Sequence, residues 1–261
     1  MAKDRIESKY VTVAPGVELH ILEKGEGKPL VFIPGLTFSG EIFKNQLEYF
    51  SSEYRVIAID PRGQGYSAKT VDGNDYLTHG RDVAGLIDAL GLKDIVLIGW
   101  STGNLDTWSY VQQFGKDKLR GVVTIDMSPL PLSPDPKWQV LTSSEGCREF
   151  FSEYATGVMI QHKMEPDELE YLLDISGRTP YWICRQLFCD AVFSNYLETA
   201  KDIGATLPSL MFIAEHWQGI AKPFVEAQLP GYDTYVMGGH LMFYEYPEKW
   251  NRVLEDFLNK L

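Results

Sequence analysis

Cysteine and histidine are scarce in this 261-residue chain, and the shortage excludes two kinds of site. Three cysteines cannot build a disulfide scaffold, and neither they nor the histidines have the spacing of metal ligands, which fits a reduced, cytoplasmic protein without a metal. The cysteines are Cys147, Cys184 and Cys189. The histidines are His20, His79, His162, His216 and His240.

Basic clusters and long apolar runs are also missing. The 24 Lys and Arg residues are outnumbered by 36 Asp and Glu residues, giving a net charge of −12, whereas a nucleic-acid partner requires a basic face. No apolar run approaches the 18 residues of a membrane span, and the charged start Met1–Arg5 lacks the apolar segment of a signal peptide. We therefore expect a cytoplasmic protein that binds neither nucleic acid nor a membrane.

Short apolar strands alternate with helices over most of the chain, which is 44% hydrophobic and long enough to bury a full core. Continuous apolar runs such as Leu30–Ile33 are typical of parallel strands that are covered on both faces. The pattern predicts an α/β fold with a mostly parallel sheet of eight strands and helices on both faces. The predicted strands are Tyr10–Val13, Val17–Glu23, Leu30–Ile33, Arg55–Ile59, Ile95–Ile98, Leu119–Ile125, Pro208–Ala214 and Tyr232–Met237.

The alternation stops after Ser128. Four prolines open the next segment, and helical patterns rich in aromatic residues follow without a clear strand. We predict that residues 129–206 form a helical cap inserted into an α/β core made of residues 1–128 and 207–261.

The pattern Gly-x-Ser-x-Gly occurs at Gly99–Gly103, between an apolar strand and a helical segment. This is the nucleophile-elbow pattern, in which a strained turn presents the serine near a helix N-terminus and free backbone N–H groups. Glycines are needed because the turn leaves little room for Cβ atoms on either side of the serine. The pattern also arises by chance, so its value depends on the rest of the chain.

Three further motifs stand in a familiar order. Pro34-Gly35-Leu36 follows the third strand, Asp60-x-Arg62-Gly63-x-Gly65-x-Ser67 follows the fourth, and Gly239-His240 follows the last. With the elbow, they make the whole chain resemble the α/β-hydrolase fold superfamily, in particular its serine hydrolases and esterases. The resemblance implies chemistry without a cofactor, and we assign the loop after the fourth strand a structural role.

The resemblance implies a serine nucleophile, a histidine base and a carboxylate in that chain order. Ser101 is the candidate nucleophile and His240, after the last strand, the candidate base. Trp217 stands where many relatives have the acid. We therefore predict Asp126, after the strand that follows the nucleophile helix, as the acid, with Glu215 as the alternative.

The resemblance also implies an oxyanion hole made by backbone N–H groups of Leu36 and Thr102. Apolar residues near the predicted site and in the cap indicate a small hydrophobic or aromatic substrate. The predicted substrate contacts are Trp100, Phe38, Trp182 and Met242. The same aromatic surface of the cap could equally serve a homo-oligomer.

Three functions are open at this point. The first is hydrolysis of a carboxylic ester or lactone through an acyl-enzyme. The second is cofactor-independent dioxygenation of a 3-hydroxy-4-quinolone by a His–Asp pair. Relatives with that activity carry histidines beside the serine and the oxyanion loop, and Trp100, Thr102 and Leu36–Ser39 supply none. The third is a non-catalytic ligand-binding or signalling protein, because a fold alone does not establish turnover.

A partial dinucleotide-binding pattern at Gly63–Ala68 is weak, since no helix clearly opens on it.

Overall fold

A computed structural model describes residues 5–134 and 136–261, and an eight-stranded sheet runs through its centre. Its spatial order is β1-β2-β4-β3-β5-β6-β7-β8, where β1 and β2 are antiparallel to their neighbours and all other pairs are parallel. The strands are β1 (Glu7–Ala14), β2 (Val17–Lys24), β3 (Pro29–Ile33), β4 (Arg55–Ile59), β5 (Ile95–Trp100), β6 (Leu119–Ile125), β7 (Ser209–Ile213) and β8 (Tyr232–Val236). The predicted fold class is confirmed.

The central strands are apolar on both faces because helices cover both sides of the sheet. Every residue of β3, β5 and β7 is buried, as expected for parallel strands in an α/β protein. The helices are α1 (Lys44–Phe50), α2 (Tyr76–Ala89), α3 (Gly103–Phe114), α4 (Ser144–Tyr154), α5 (Pro166–Gly177), α6 (Tyr181–Ala191), α7 (Leu197–Thr206), α8 (Gln218–Gln228), α9 (Met242–Glu245) and α10 (Pro247–Leu258). In the described ranges, none of these helices has both the length and the apolar character needed to cross a membrane.

Helix α8 is longer than the sequence indicates. A proline normally marks the first turn of a helix, so the pattern predicts a start at Pro223, whereas α8 begins at Gln218 and contains Pro223 in its interior. The helix tolerates the lost hydrogen bond on its solvent side while it buries Val225 against the core.

Four helices, α4 to α7, lie between β6 and β7, within the segment predicted as a cap. A π-helical segment, Ala155–Met159, extends α4. Side chains of the cap bond to the loop after β3: Ser176 Oγ lies 2.8 Å from Thr37 Oγ1, and Arg178 bonds to Glu41 at 2.6 Å. These bonds hold the inserted helices at the carboxyl end of β3, at an edge where α/β proteins bind ligands.

Candidate active site

Ser101 sits on a strained turn between β5 and α3. Its φ is +53°, a left-handed backbone conformation that residues other than glycine adopt rarely and at an energetic cost. Its backbone N–H donates to Ile125 O at 2.9 Å, and its carbonyl accepts from Asn104 N at 3.0 Å. The turn also packs tightly on β3, because a Cβ at Gly103 would lie 2.3 Å from Ile33 O. The predicted elbow therefore has the geometry that presents a serine side chain away from the sheet.

His240 and Asp126 are joined by a hydrogen bond of 2.7 Å between Nδ1 and Oδ2. Because an ionised carboxylate can only accept, this bond places the hydrogen on Nδ1 and leaves the lone pair of Nε2 free to act as a base. The other carboxylate oxygen of Asp126 accepts from Ala214 N at 2.8 Å. Both side chains are about 95% buried, so the carboxylate is held rigidly behind the imidazole.

Contacts from both the core and the cap hold the backbone of His240. Trp100 Nε1 donates to His240 O at 2.7 Å, and His240 N donates to Val158 O in the π-helical segment at 3.2 Å. The next residue, Leu241, donates its N–H to Met159 O at 2.9 Å. The position of the imidazole therefore depends on the cap as well as on the sheet.

The alternative carboxylate, Glu215, faces another way. Its two oxygens accept from Gly238 N at 3.3 Å and from Gln161 Nε2 at 3.4 Å. Trp217, which we predicted to stand in the place of the usual acid, is half-exposed and lines the cavity described below. His216 lies in the same turn, and its burial lowers the pKa of its imidazole, which favours the neutral form. The structure thus brings Asp126, and not Glu215, to His240.

The two predicted oxyanion donors, Leu36 and Thr102, lie on either side of Ser101. Both residues are buried, and neither backbone N–H has an acceptor among the described residues. The loop that carries Leu36 reaches the nucleophile because Gly35 has no Cβ: an added Cβ would lie 2.8 Å from Ser101 Cβ. Unpaired N–H groups next to a serine are what stabilises a developing oxyanion.

A cavity of about 800 Å³ contains Ser101, His240 and both oxyanion residues in its wall. Most of the rest of the wall is apolar, and aromatic rings lead away from the imidazole. Tyr154 lies edge-on to His240 with ring centres 5.7 Å apart, and Phe150 stacks on Tyr154 at 6.1 Å. Phe188 continues the series 5.8 Å from Phe150, and Trp138 lies 4.7 Å beyond Phe188. Burial raises the pKa of Tyr154 far above its ordinary value, so its phenol stays neutral.

Of the four predicted substrate contacts, only Trp100 lines this cavity. Phe38 packs behind the indole of Trp100 with ring centres 5.0 Å apart, and Met242 is fully buried in the core. Trp182 is 45% exposed at the outer surface of α6. The structure therefore places three of the predicted contacts outside the cavity. Phe38 and Met242 follow site residues in the sequence but pack beneath the site, and Trp182 lies on the face of α6 that points away from it.

Part of the cavity wall comes from α8 and the turn before it, and none of these residues except Trp217 was among the candidate site residues. Its lining residues recur with the spacing i, i+3, i+4, i+7 and i+8, which marks one face of a helix. They are Trp217, Ile220, Ala221, Phe224 and Val225. This periodicity is the signal in the sequence that could have identified the wall.

The described residues contain no group of three or more His, Cys, Asp or Glu side chains placed to hold a metal ion.

Comparison with known proteins identifies the family. Residues 28–201 match the alpha/beta hydrolase fold family. The non-heme chloroperoxidase CPO-A1 of Kitasatospora aureofaciens is 35% identical over 119 residues, which are 45% of this chain and 43% of that protein. The chain therefore aligns with less than half the length of this curated relative.

Solved structures extend the likeness to nearly the whole chain. An esterase from Exiguobacterium antarcticum superimposes with a TM-score of 0.85 at 20% identity, over 97% of this chain and 100% of the other. The enol-lactonase from Burkholderia xenovorans LB400 gives 0.84 at 20% identity, over 96% of this chain and 100% of the other. At this identity the likeness establishes the fold alone. With the family match over residues 28–201, it shows that this chain belongs to the alpha/beta hydrolase fold family.

Proposed function

We propose that the protein is a serine hydrolase that cleaves a carboxylic ester or lactone of a small hydrophobic or aromatic substrate. The observation that carries the proposal is the 2.7 Å bond between Asp126 and His240 in the wall of the cavity that also contains the elbow serine, Ser101. A nucleophile, an oriented base and two unpaired backbone donors are the parts that acyl transfer requires.

In the proposed reaction Ser101 Oγ attacks the substrate carbonyl while His240 Nε2 takes its proton. The N–H groups of Leu36 and Thr102 stabilise the oxyanion, and Asp126 stabilises the imidazolium without taking the proton. The imidazolium then protonates the leaving alcohol, and the acyl group stays on Ser101. A water molecule that is deprotonated by His240 releases the acid and restores the serine.

The wall of the cavity supports a substrate with an apolar or aromatic group. The series of rings from Tyr154 to Trp138 and apolar residues of α8 both line the cavity. A volume of about 800 Å³ exceeds what a short acetyl group fills, and removing apolar surface from water is favourable by about 25 cal/mol per Å². We therefore propose acyl or aryl groups of one to two rings as the preferred occupants.

The proposal is tested with p-nitrophenyl acetate, butyrate and phenylacetate, and separately with a 3-hydroxy-4-quinolone in an oxygen electrode. We expect ester turnover with kcat/KM rising from acetate to phenylacetate, and no oxygen uptake. Oxygen uptake without ester turnover would support the dioxygenase hypothesis in its place. If neither ester turnover nor oxygen uptake is observed, the ligand-binding hypothesis is the one that remains.

Substituting Gly35 with alanine should lower kcat by about 100-fold with little change in KM. The added Cβ would lie 2.8 Å from Ser101 Cβ and 3.3 Å from its Oγ, so the loop with Leu36 must move away from the nucleophile. Displacing a catalytic group by about 1 Å costs on the order of 100-fold in rate. Steady-state kinetics on the best ester measure the effect. Gly157→Ala is the matched control, because a Cβ at that position, which also lines the cavity, meets no atom within 4 Å. Equal kinetics for the two variants would contradict the placement of the oxyanion donor.

A further inference from the structure

A second serine–histidine–aspartate set lies at the antiparallel end of the sheet. Ser8 Oγ is 2.8 Å from His20 Nε2, and His20 Nδ1 is 2.9 Å from Asp60 Oδ2. Because the carboxylate of Asp60 accepts, Nδ1 carries the hydrogen, and Nε2 must accept the hydrogen of the Ser8 hydroxyl. This order of hydrogen bonds is the one by which a histidine activates a serine.

The set is remote from Ser101. Strand β1, which carries Ser8, stands four positions from β5 in the sheet, roughly 19 Å at about 4.8 Å between neighbouring strands. Its members meet through strand pairing: Tyr10 is the register partner of His20, so Ser8 is the diagonal neighbour of His20 on the same face.

The base of this second set is rigid. The side chains of Asp60 and His20 are 1% and 7% exposed, and two backbone N–H groups of the surrounding loops also bond to Asp60, each at 2.7 Å. The imidazole lies between the rings of Tyr10 and Tyr66, with both ring centres 5.3 Å away. The hydrogen bond between Asp60 and His20 can be explained by a structural role, which is to stabilise the loop after β4. That role does not account for Ser8, whose side chain is on an exposed position and has water available.

A pocket of about 340 Å³ opens at the set and is separate from the large cavity. Ser8, His20 and the rings of Tyr10 and Tyr66 line it, together with Ser39. The hydroxyl oxygen of Ser39 is buried and has no hydrogen-bond partner among the described residues. A buried hydroxyl without a partner is costly unless a ligand or water completes it.

We propose that Ser8 is a second, accessory nucleophile that accepts acyl groups from small aryl esters of about one ring. Ser8 Oγ forms a bond to the acyl carbon and passes its proton to His20 Nε2. The bond from the acyl carbon to the aryl oxygen breaks, and the aryl oxide takes that proton and leaves as a phenol. The acyl group stays on Ser8 as an ester until water, deprotonated by His20, hydrolyses it. The two tyrosine rings hold the aryl group.

The test uses the full-length Ser101→Ala variant, so that the main site cannot contribute. The protein is incubated with p-nitrophenyl acetate, digested at mildly acidic pH and analysed by mass spectrometry with fragment spectra. Hydroxylamine treatment distinguishes an ester on Ser8 from an amide on the adjacent Lys9, because it removes only the ester. We expect Ser8 to be acetylated at least ten times faster than Ser52, an exposed serine in the same digest.

His20→Gln in the Ser101→Ala background should reduce acetylation of Ser8 at least tenfold, with folding checked by thermal unfolding. Acetylation of Ser8 no faster than that of Ser52 overturns the proposal, and so does acetylation that survives the loss of His20. Should His20→Gln fail to fold, the comparison of Ser8 with Ser52 decides, since it leaves His20 in place.

Discussion

Replacing Ser101 with alanine is expected to lower kcat for p-nitrophenyl esters by a factor of about 10⁵ or more, since removal of a triad nucleophile leaves only binding and oxyanion stabilisation. Stability should change little. Alanine has the same Cβ as serine and can keep the φ of +53° at a similar cost. Ester turnover and covalent labelling by a fluorophosphonate probe measure the loss of activity. Thermal unfolding shows whether the variant keeps its stability.

Ser128→Ala is the matched control for this experiment. Ser128 also lines the large cavity, but among the described residues its hydroxyl bonds only to Leu130 N, at 3.2 Å, and it stands outside the elbow. We expect its kcat to stay within about threefold of wild type, because surface substitutions usually have small effects. A Ser101→Ala protein that kept more than about one hundredth of the activity would show that Ser101 does not form the acyl-enzyme.

The elbow and the sheet could be predicted because local sequence determines them. Short apolar runs such as Leu30–Ile33 and Ile95–Ile98 specify covered strands. The turn leaves no room for a Cβ at Gly99, which would meet Asn104, or at Gly103, which would meet β3. The placement of Asp126 beside His240 followed from chain order, because parallel strands end at the same edge of the sheet. The role of Asp126 as the acid stays a prediction.

The cavity wall could not be predicted in the same way, because its residues meet only after the cap has docked. Phe150 and Phe188 belong to different helices and contact each other through tertiary packing, while Trp182 lies on the outer side of α6. Helical periodicity separates the two faces of α6 but does not say which face meets the site. The set of Ser8, His20 and Asp60 could not be predicted from the sequence either. It depends on the register of two strand pairs and on a loop that lies 40 residues from the histidine.

Substitutions of Asp126 and Glu215 distinguish the two candidate acids, because their expected effects on kcat differ widely. Asp126→Asn should lower kcat by about 10⁴ with intact folding. The asparagine carbonyl can still accept from Ala214 N, which turns its amide NH₂ toward His240 Nδ1. Nδ1 must then accept, so the hydrogen moves to Nε2, and the imidazole can no longer take the proton of Ser101. Burst and steady-state kinetics on one ester measure the loss of acylation.

Glu215→Gln is the isosteric control, and its kcat should remain within about threefold of wild type. The carboxylate of Glu215 accepts from Gly238 N and Gln161 Nε2, and a glutamine carbonyl can keep the first of these bonds. Both substitutions remove one negative charge near His240, so a general electrostatic effect would act on both. A loss confined to Asp126→Asn would therefore show that the directed bond to Nδ1 is required. A loss confined to Glu215→Gln would instead assign the acid to the turn between β7 and α8.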